Sequence, residues 1–288
     1  MKILILGITG MLGSILFNEY SKRRDLFVFG TTRNNLPPSC FNFLDSKIIR
    51  NIHADNINDI ENLCKLIKPD LVINCIGLIK QLSLSNKTLQ AISINSLLPH
   101  QLVQISKIVG SKFLHISTDC VFDGKRGNYS EEDPSDAVDL YGRTKFLGEV
   151  ADLNGITLRT SIVGHELNSK YGLLEWFLSQ SNVINGYTNA IFSGLTTYEL
   201  SKVIIDYVVP AWDSLNGLYH VASEPISKFE LLKLFQATYE KEILIKEQNS
   251  FVINRSLNAK KFNSLVNYCP PCWSDMVKLM KINRISNE

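Results

Sequence analysis

Tyr141 and Lys145 stand four residues apart in Tyr141-Gly-Arg-Thr-Lys145, inside a segment for which we predict a helix. Side chains at positions i and i+4 of a helix share one face, so the phenol and the ammonium group would be neighbours. A free tyrosine titrates near pH ~10, and a neighbouring cation lowers that pKa by favouring the phenolate. A phenol tuned in this way suits the general acid of a carbonyl reduction. The spacing alone is a weak signal, because a surface tyrosine and a surface lysine meet it by chance on many helices.

A glycine-rich turn follows the first apolar run of the chain, residues 2–6, which is typical of a strand buried on both faces. The turn Gly7-Ile-Thr-Gly10-Met-Leu-Gly13 opens a helical pattern that ends in the basic segment 21–24. Glycines let the backbone approach a pyrophosphate, and the helix N-terminus stabilises its charge. We therefore predict a dinucleotide-binding turn, with a merely tight strand-to-helix turn as the alternative. The expected cofactor contacts in this segment are Gly7, Thr9, Gly10, Met11, Leu12 and Gly13.

The residues after the second predicted strand, 26–29, favour NADPH, with NADH as the alternative. An NAD site usually has a carboxylate here for the ribose 2′-hydroxyl, whereas an arginine accommodates the 2′-phosphate of NADP. No acidic residue lies between Asp25 and Asp45, and Arg33 is available for a phosphate. A solvated loop arginine is the other interpretation of Arg33.

Asp55 is a further candidate for the cofactor site. It is predicted to end a third strand and to accept a hydrogen bond from the adenine amino group. It could equally be the N-cap of the helix that follows. The predicted cofactor site also includes Asn56, Cys75, Ile76 and Gly77.

The composition is that of an ordinary globular protein. The chain has 288 residues, of which 45% are hydrophobic and 20% charged, with a formal net charge of +2. This charge gives no global basic field, and no basic tract with interleaved aromatic residues indicates a nucleic-acid partner. No apolar run approaches the ~20 residues of a membrane span, and Met1-Lys2 leads into the first strand without a signal pattern. We therefore expect a cytoplasmic protein without nucleic-acid or membrane partners.

Six cysteines in a chain of this length do not indicate a disulfide scaffold. Cys269-Pro-Pro-Cys272 has the spacing of a redox pair or of half a zinc site, but a second ligand pair is missing. We therefore expect a structural segment there and predict no metal. The other four are expected to be reduced thiols in or near the core: Cys40, Cys64, Cys75 and Cys120.

Strands and helices alternate along the first part of the chain, which predicts an α/β fold with a Rossmann-like, doubly wound parallel sheet. After about residue 165 the spacing loosens, and later helices are expected to cap the carboxyl end of the sheet, where ligands bind. We predict residues 1–165 as the dinucleotide-binding domain and residues 166–288 as a small substrate-binding lobe that can return segments to it. The predicted strands are 70–74, 112–117 and 156–160, and the helices are 88–108, from about 140, 171–180, 196–208 and 227–240.

Four motifs occur in a specific order: Gly7-x-x-Gly10-x-x-Gly13, Ser117-Thr-Asp-Cys-Val-Phe-Asp-Gly124, Tyr141-Gly-Arg-Thr-Lys145 and Arg159-Thr-Ser161. The set resembles the extended short-chain dehydrogenase/reductases that act on nucleotide sugars, and most closely the dTDP-4-dehydrorhamnose reductase branch. The resemblance runs nearly end to end, as far as Arg255-Ser-Leu-Asn-Ala-Lys260. It turns the Tyr141 and Lys145 pair from a chance spacing into a predicted active site.

The resemblance implies a role for each matching residue. Thr118 matches the residue whose hydroxyl holds the substrate carbonyl oxygen, and Tyr141 matches the proton donor. Lys145 matches the residue that lowers the tyrosine pKa and binds the nicotinamide ribose. Asn95 matches an asparagine that supports a water of the proton relay. Because hydride addition to a ketone builds negative charge on oxygen, a phenol and a hydroxyl at that oxygen are suited to stabilise it.

Departures from the branch bear on the substrate. Dehydratases of the superfamily have a glutamate where Cys120 stands, so dehydration is disfavoured. Rhamnose-pathway reductases tend to have an aromatic residue at Cys120, a tryptophan at Ile162 and an acidic, threonine-containing segment at 77–81. We therefore expect another nucleotide-linked 4-keto-6-deoxyhexose, such as a UDP-linked N-acetylamino sugar. Lys80 could contact the sugar or diphosphate and Arg255 could hold the diphosphate bidentately, although each alone would be read as a surface charge.

Three functions remain open from the sequence. The first is an NADPH-dependent reductase of a nucleotide-linked 4-keto-6-deoxyhexose that serves polysaccharide or O-antigen precursor synthesis. The second is a 4-epimerase that retains its nicotinamide. The third is a regulatory subunit, because the branch resembles the regulatory β subunit of methionine adenosyltransferase. The complete set of Thr118, Tyr141 and Lys145, together with Arg33, favours the reductase. The superfamily resemblance also implies a homodimer through the helices that flank Tyr141.

Overall fold

The computed structural model of the protein describes residues 1–34, 41, 47–79, 87–151, 154–167 and 169–285. Its centre is a parallel sheet of seven strands. From edge to edge the strands, numbered in chain order, are β11 (Gly217–His220), β6 (Gly155–Thr160), β5 (Lys112–Thr118), β4 (Leu71–Asn74), β1 (Lys2–Leu6), β2 (Phe27–Thr31) and β3 (Ile48–Ile49). The chain runs outward from β1 to β3 and then crosses to β4 on the other side of β1. The topological switch point, where ligands bind in such sheets, therefore lies between β1 and β4.

Strand β1 shows why the sheet is buried on both faces. Ile3 and Ile5 pack into one apolar core, whereas Leu4 and Leu6 pack into the other. Successive side chains of a strand point to opposite faces of its sheet. A continuous apolar run is thus what a strand between two helical layers requires.

Helices cover both faces of the sheet. Residues of α2 and α4 join the core that contains Leu4, and residues of α1, α7, α8 and α10 join the core that contains Ile3. The π-helical segment Ile92–Leu97 joins α3 to α4, and α7 continues into a second one, Ile204–Val208. Within the described ranges, no helix has the length and apolar character needed to cross a bilayer. The α-helices are α1 (Met11–Ser21), α2 (Ile57–Ile67), α3 (Thr88–Ala91), α4 (Leu98–Val109), α5 (Leu140–Leu147), α6 (Leu173–Ser179), α7 (Thr197–Val203), α8 (Lys228–Thr238), α9 (Lys260–Val266) and α10 (Trp273–Ile282).

The chain after residue 160 forms three small sheets and also contributes β11, which lies beside β6 in the main sheet. The second part of the chain therefore returns a strand to the first. In the small sheets, β7 (Ile162–Val163) pairs with β10 (Leu195–Thr196), β9 (Ala190–Phe192) lies between β12 (Ile226–Ser227) and β14 (Ile253–Asn254), and β8 (Val183–Tyr187) pairs with β13 (Leu244–Gln248).

The predicted α/β fold with a doubly wound parallel sheet is confirmed, and the predicted strands and helices lie close to their expected positions. The observed third strand is shorter than the predicted one. It is only Ile48–Ile49, and Asp55 lies in a turn ahead of α2 rather than at a strand end. Asn51 has a backbone φ of 60°. This left-handed conformation takes the chain out of the extended region and ends the strand early.

Candidate active site

The carboxyl ends of β1, β2, β4, β5 and β6 open into one cleft of about 700 Å³. In a parallel sheet these ends share one edge, so residues distant in sequence converge there. The predicted site residues that line the cleft are Thr9, Gly10, Met11, Leu12, Arg33, Cys75, Ile76, Gly77, Thr118, Cys120, Tyr141, Lys145 and Arg255. One fold feature thus brings together residues predicted for cofactor, substrate and chemistry.

The glycine turn after β1 is shaped by close backbone approach. Gly7 has a φ of +86°, and a Cβ on Gly13 would lie 2.2 Å from the Gly7 carbonyl oxygen. Neither glycine lines the cleft, but each is needed for the turn to fold so tightly. Gly10 is the N-cap of α1 and no side chain caps the helix, so its first N–H groups remain for a ligand or water. The turn therefore fits a dinucleotide phosphate.

Of the two residues predicted to contact the cofactor after the second and third strands, Arg33 lines the cleft and Asp55 does not. Arg33 is exposed and lines the cleft. Asp55 and Asn56 are exposed and are not among the lining residues. The N-cap position of α2 is Asn56, whose Nδ2 donates to Asp59 Oδ2 at 2.7 Å. The interpretation of Asp55 as that N-cap is wrong, because the helix begins one residue later than this interpretation requires. The contact of Asp55 with the adenine amino group stays a prediction.

Thr118 and Tyr141 both line the cleft, and their side chains interact. Thr118 ends β5, and its hydroxyl donates to Asp119 Oδ1 at 3.1 Å and accepts from the Cys120 N–H at 3.1 Å. Burial raises the pKa of the half-buried Tyr141 phenol, and a hydrogen bond with the Thr118 side chain opposes this only in part. The phenol is therefore protonated, as a proton donor must be.

Lys145 does not have the effect expected of it on Tyr141. Its amine donates to the Ile116 carbonyl oxygen at 2.7 Å and lies 3.5 Å from His115 Nε2. The side chain is buried, and burial lowers the pKa of Lys145 to about 8, although Glu149 and Cys75 act against the shift. The predicted lowering of the Tyr141 pKa by Lys145 is wrong for this structure, because burial of the phenol outweighs other effects and the lysine is a weakened cation.

Asn95 lies behind the cleft. It is 1% exposed, and its Oδ1 accepts from the Leu78 N–H at 2.8 Å while its Nδ2 lies 3.3 Å from Thr144 Oγ1. A Cβ on Gly148 would lie 1.9 Å from the Asn95 carbonyl oxygen. Asn95 thus ties the segment after β4 to α5, and its support of a relay water stays a prediction. It belongs to the π-helical segment before α4, a type of distortion that is frequent at functional sites.

Arg255 and Cys120 line the cleft side by side. Arg255 Nε donates to the Phe122 carbonyl oxygen at 2.8 Å, and its Nη1 lies 3.9 Å from Cys120 Sγ. These contacts fix the guanidinium at the cleft wall and leave its charge available to a ligand. Lys80, predicted for the substrate, lies outside the described residues.

Lys228 is a cleft residue that the sequence analysis missed. It is the first residue of α8, lines the cleft, and holds its amine 4.4 Å from the centroid of the Phe192 ring. No described residue forms a hydrogen bond or ion pair with it. Burial lowers its pKa, opposed by the nearby Asp119 and Cys120. The Ser227-x-x-Glu230 capping box marked a helix start in the sequence, but nothing in it indicated that the next side chain would face a cleft.

Asp119 and Glu166 are acidic cleft residues that were also missed. Burial raises the pKa of Asp119, while the charges of Arg255 and Lys228 lower it. Glu166 Oε2 accepts from the Gly172 N–H at 2.7 Å and closes a loop along the cleft rim. The cleft therefore holds charges of both signs.

The CxxC segment lies away from the cleft. Cys269 and Cys272 are exposed free thiols, and Cys272 Sγ lies 3.1 Å from Ser274 Oγ. In the described ranges, no group of three or more His, Cys, Asp or Glu side chains is arranged to hold a metal ion.

Solved structures share this fold over nearly the whole chain. A dTDP-4-dehydrorhamnose reductase from Bacillus anthracis str. Ames, in complex with NADP, has a TM-score of 0.79 at 21% identity, covering 98% of both chains. A hypothetical dTDP-4-dehydrorhamnose reductase from Sulfolobus tokodaii has a TM-score of 0.78 at 22% identity, covering 95% of this chain and 98% of that chain. At such identities the likeness establishes the fold.

Curated relatives match parts of the chain. Methionine adenosyltransferase 2 subunit beta of Danio rerio is 29% identical over 152 residues, which are 51% of this chain and 42% of that protein. The chain thus spans less than half the length of that relative. The spore coat polysaccharide biosynthesis protein SpsK of Bacillus subtilis (strain 168) is 25% identical over 231 residues, 78% of this chain and 74% of that protein.

A family model decides the relationship. The model described as the RmlD substrate binding domain matches residues 1–250, which confirms the resemblance carried by the four ordered motifs. The chain belongs to the family of the RmlD substrate binding domain.

Proposed function

We propose that the protein is an NADPH-dependent reductase of a nucleotide-linked 4-keto-6-deoxyhexose. The observation that carries the proposal is the convergence of Thr118, Tyr141 and Lys145 on the same cleft that residues of the glycine turn line. A nicotinamide nucleotide on the turn and a keto sugar beside the phenol would occupy one continuous space. The NADP-bound relative of the same fold supports a nicotinamide cofactor.

The chain's residues fit such a cofactor. The tight packing of Gly13 on Gly7 leaves room for a diphosphate above the turn, and Arg33 offers a guanidinium for a 2′-phosphate. Cys75, Ile76 and Gly77 would form the wall beneath the ring. When bound, the nicotinamide supplies the hydride that reduces the ketone.

The protein's own groups would handle the charge and the proton. Thr118 would turn its hydroxyl from Asp119 to the substrate oxygen, where it stabilises the developing negative charge. Tyr141 is protonated and would deliver its proton to that oxygen. Lys145 donates a hydrogen bond to the Ile116 carbonyl oxygen, and it would orient the cofactor ribose and return a proton to the Tyr141 phenolate.

The substrate end of the cleft favours an anionic ligand. Arg255 and Lys228 are two cations there, and Lys228 lacks an ion-pair partner among the described residues. A sugar nucleotide carries a diphosphate that would pair with such cations. Two relatives support a role in polysaccharide precursor synthesis. One is the spore coat polysaccharide biosynthesis protein, and the other is a probable low-salt glycan biosynthesis reductase from Haloferax volcanii, which is 30% identical over 186 residues. We place this activity in the cytoplasm.

A homodimer is part of the proposal. The elements α3, α4 and α5, together with the π-helical segment before α4, expose large apolar side chains that include Leu89, Leu97 and Leu147 at 85%, 52% and 59%. Exposed apolar groups of this size on neighbouring elements are typical of a protein interface. Sedimentation of wild type and of Leu147→Glu tests it, because a dimer through these helices should dissociate in the variant.

A regulatory subunit is the second candidate, favoured by the 29% match to methionine adenosyltransferase 2 subunit beta. The intact Thr118, Tyr141 and Lys145 set argues against it, because binding alone needs no proton donor.

The test is turnover. Purified protein and NADPH are mixed with UDP-4-keto-6-deoxy-N-acetylglucosamine and, separately, with dTDP-4-dehydrorhamnose, while absorbance of the reduced nicotinamide is followed. Oxidation with either sugar, lost in Tyr141→Phe, supports a reductase and identifies the sugar class. NADPH binding without oxidation of either substrate would instead favour the regulatory role.

A further inference from the structure

We propose that Asn74 and His115 favour the neutral amine of Lys145 over its ammonium form by fixing the tautomer of the histidine ring. The inference rests on the proposed reductase function and deepens it, because it takes Lys145 as the residue that returns a proton to the Tyr141 phenolate. Its first test is made without turnover, so the two can fail separately. Asn74 and His115 act through Lys145 and are positioning residues.

The orientation of Asn74 starts the argument. This residue ends β4 and is 1% exposed. Its Oδ1 accepts a hydrogen bond from the Ile76 N–H at 3.0 Å, so its Nδ2 is the atom that faces His115 Nδ1 at 3.2 Å. An amide nitrogen can only donate. His115 Nδ1 must therefore accept and cannot carry a proton.

The tautomer of His115 follows from this contact. His115 lies in β5, is 1% exposed, and has a pKa well below its usual range, chiefly because of its burial. The ring is therefore neutral, and its one proton must sit on Nε2. Nε2 in turn lies 3.5 Å from Lys145 Nζ.

The count of donors and acceptors then favours one proton state of Lys145. An ammonium group has three donors and no acceptor, so it would set an N–H against the N–H of His115. A neutral amine has a lone pair that accepts from Nε2–H, while one of its own N–H groups donates to the Ile116 carbonyl oxygen at 2.7 Å. The neutral amine satisfies both contacts and the ammonium satisfies only the one to Ile116, so the arrangement stabilises the amine while both forms remain accessible.

The other groups around Lys145 supply little compensating charge. The charge of the Glu149 carboxylate acts on it, but both oxygens of that carboxylate are engaged by Arg159. Cys75 faces the amine from the segment after β4, and burial raises its pKa to about 12, so it is a neutral thiol. His100 acts on His115 from α4 and would oppose further positive charge. Burial of Lys145 thus proceeds without a free counter-ion, consistent with its lowered pKa of about 8.

This arrangement suits the return of a proton after reduction. When the Tyr141 O–H bond breaks, its proton forms the new O–H bond of the product and a phenolate remains. A protonated Lys145 would give one proton to that phenolate and become the amine that His115 stabilises, and a proton from water would then restore the ammonium. Stabilising the amine lowers the cost of this donation.

The first experiment records ¹⁵N spectra of histidine-labelled protein from pH 6 to 9, with signals assigned by single His→Gln variants. His115 should carry its proton on Nε2 throughout. His220 is an internal control of opposite tautomer, because its Nδ1 lies 3.0 Å from the Tyr129 carbonyl oxygen and its Nε2 lies 3.4 Å from Arg159 Nη1. A proton on His115 Nδ1, or a charged ring, would overturn the proposal.

The second experiment titrates lysine side chains labelled at ¹³Cε, with Lys145→Met for assignment. Wild-type Lys145 should titrate near pH 8. Asn74→Asp keeps the shape of the side chain, but its carboxylate accepts a hydrogen bond from Nδ1–H of His115. The ring then carries its proton on Nδ1 and its lone pair on Nε2, where the Lys145 ammonium can donate a hydrogen bond. The midpoint should rise by at least one pH unit, and an unchanged midpoint in a folded variant refutes the proposal. If Asn74→Asp does not fold, the wild-type midpoint decides, since a value near 10.5 would show that the amine of Lys145 is not stabilised.

Reductase assays then separate the two proposals. If the NMR results are as expected but no sugar ketone is reduced, the proposed function fails and the proton-state inference stands. If ketone is reduced but Lys145 titrates near 10.5 in wild type, the inference alone fails.

Discussion

Glu149 and Arg159 form a bidentate ion pair in which Arg159 Nε donates to Glu149 Oε1 and Nη2 donates to Oε2, both at 2.7 Å. Their side chains are only 7% and 5% exposed. Glu149 Oε1 also accepts from Ser117 Oγ at 2.7 Å, and Arg159 lies over the Phe122 ring. Because Ser117 directly precedes Thr118, the pair couples β6 to the strand end that carries the proposed oxyanion donor.

Replacing Arg159 with Met should therefore destabilise the fold strongly. It would leave the Glu149 carboxylate buried without its partner, which typically costs about 3–5 kcal/mol. Urea unfolding measures the change. Arg23→Met is the matched control, because its pairs with Asp25 and Asp206 are solvent-exposed and such pairs contribute about 1 kcal/mol or less. A loss in Arg159→Met no larger than in the control would contradict the role given to the pair.

The main sheet could be predicted from sequence because its signals are local. The apolar run of β1, the glycine turn and the helical pattern of α1 each lie within one short segment. The partner of Arg159 could not be predicted in this way. Glu149 looks like an ordinary charge after a helix, and it meets Arg159 beside Ser117, the residue of β5 that pairs with Arg159 of β6 and donates to the Glu149 carboxylate.

The site was predictable where a motif carried it and not elsewhere. Thr118, Tyr141 and Lys145 were named from ordered motifs, and the structure places all three in the cleft. Lys228 was missed because its position depends on how α8 packs against β9. The effect of Lys145 on Tyr141 was mispredicted because an i, i+4 spacing does not reveal burial, which controls both pKa values here.

Tyr141→Phe should reduce turnover with the sugar ketone by about 100-fold or more and leave the Kd for NADPH within twofold. Proton delivery by a positioned acid typically contributes 10²–10⁴-fold, and the phenyl ring preserves the packing. Single-turnover kinetics and fluorescence titration measure the two quantities. Tyr171→Phe, a half-exposed tyrosine on the same cleft, should retain near-wild-type turnover. A Tyr141→Phe enzyme with more than a tenth of wild-type activity would exclude the phenol as the donor.

Arg33→Ala should raise the Kd for NADPH by about 10–100-fold and change the Kd for NADH little. A hydrogen bond to a charged group contributes about 1.5–3 kcal/mol, and only NADPH carries the 2′-phosphate that Arg33 would contact. Calorimetry with both cofactors measures the difference. Arg24→Ala, an exposed arginine after α1 that does not line the cleft, should leave both affinities unchanged. An equal loss of affinity for the two cofactors would show that Arg33 does not contact the 2′-phosphate.

Lys228→Met should weaken binding of the nucleoside diphosphates UDP and dTDP by about tenfold or more, because the cleft would lose a cation that forms no hydrogen bond or ion pair with a described residue. Methionine keeps the apolar stem against Phe192, so the effect reports the charge. Lys228→Arg should retain most of the affinity. Lys233→Met changes a lysine of the same helix that does not line the cleft and should bind as wild type does. Calorimetry with the diphosphate alone makes the result independent of turnover, and unchanged binding in Lys228→Met would remove Lys228 from the substrate site.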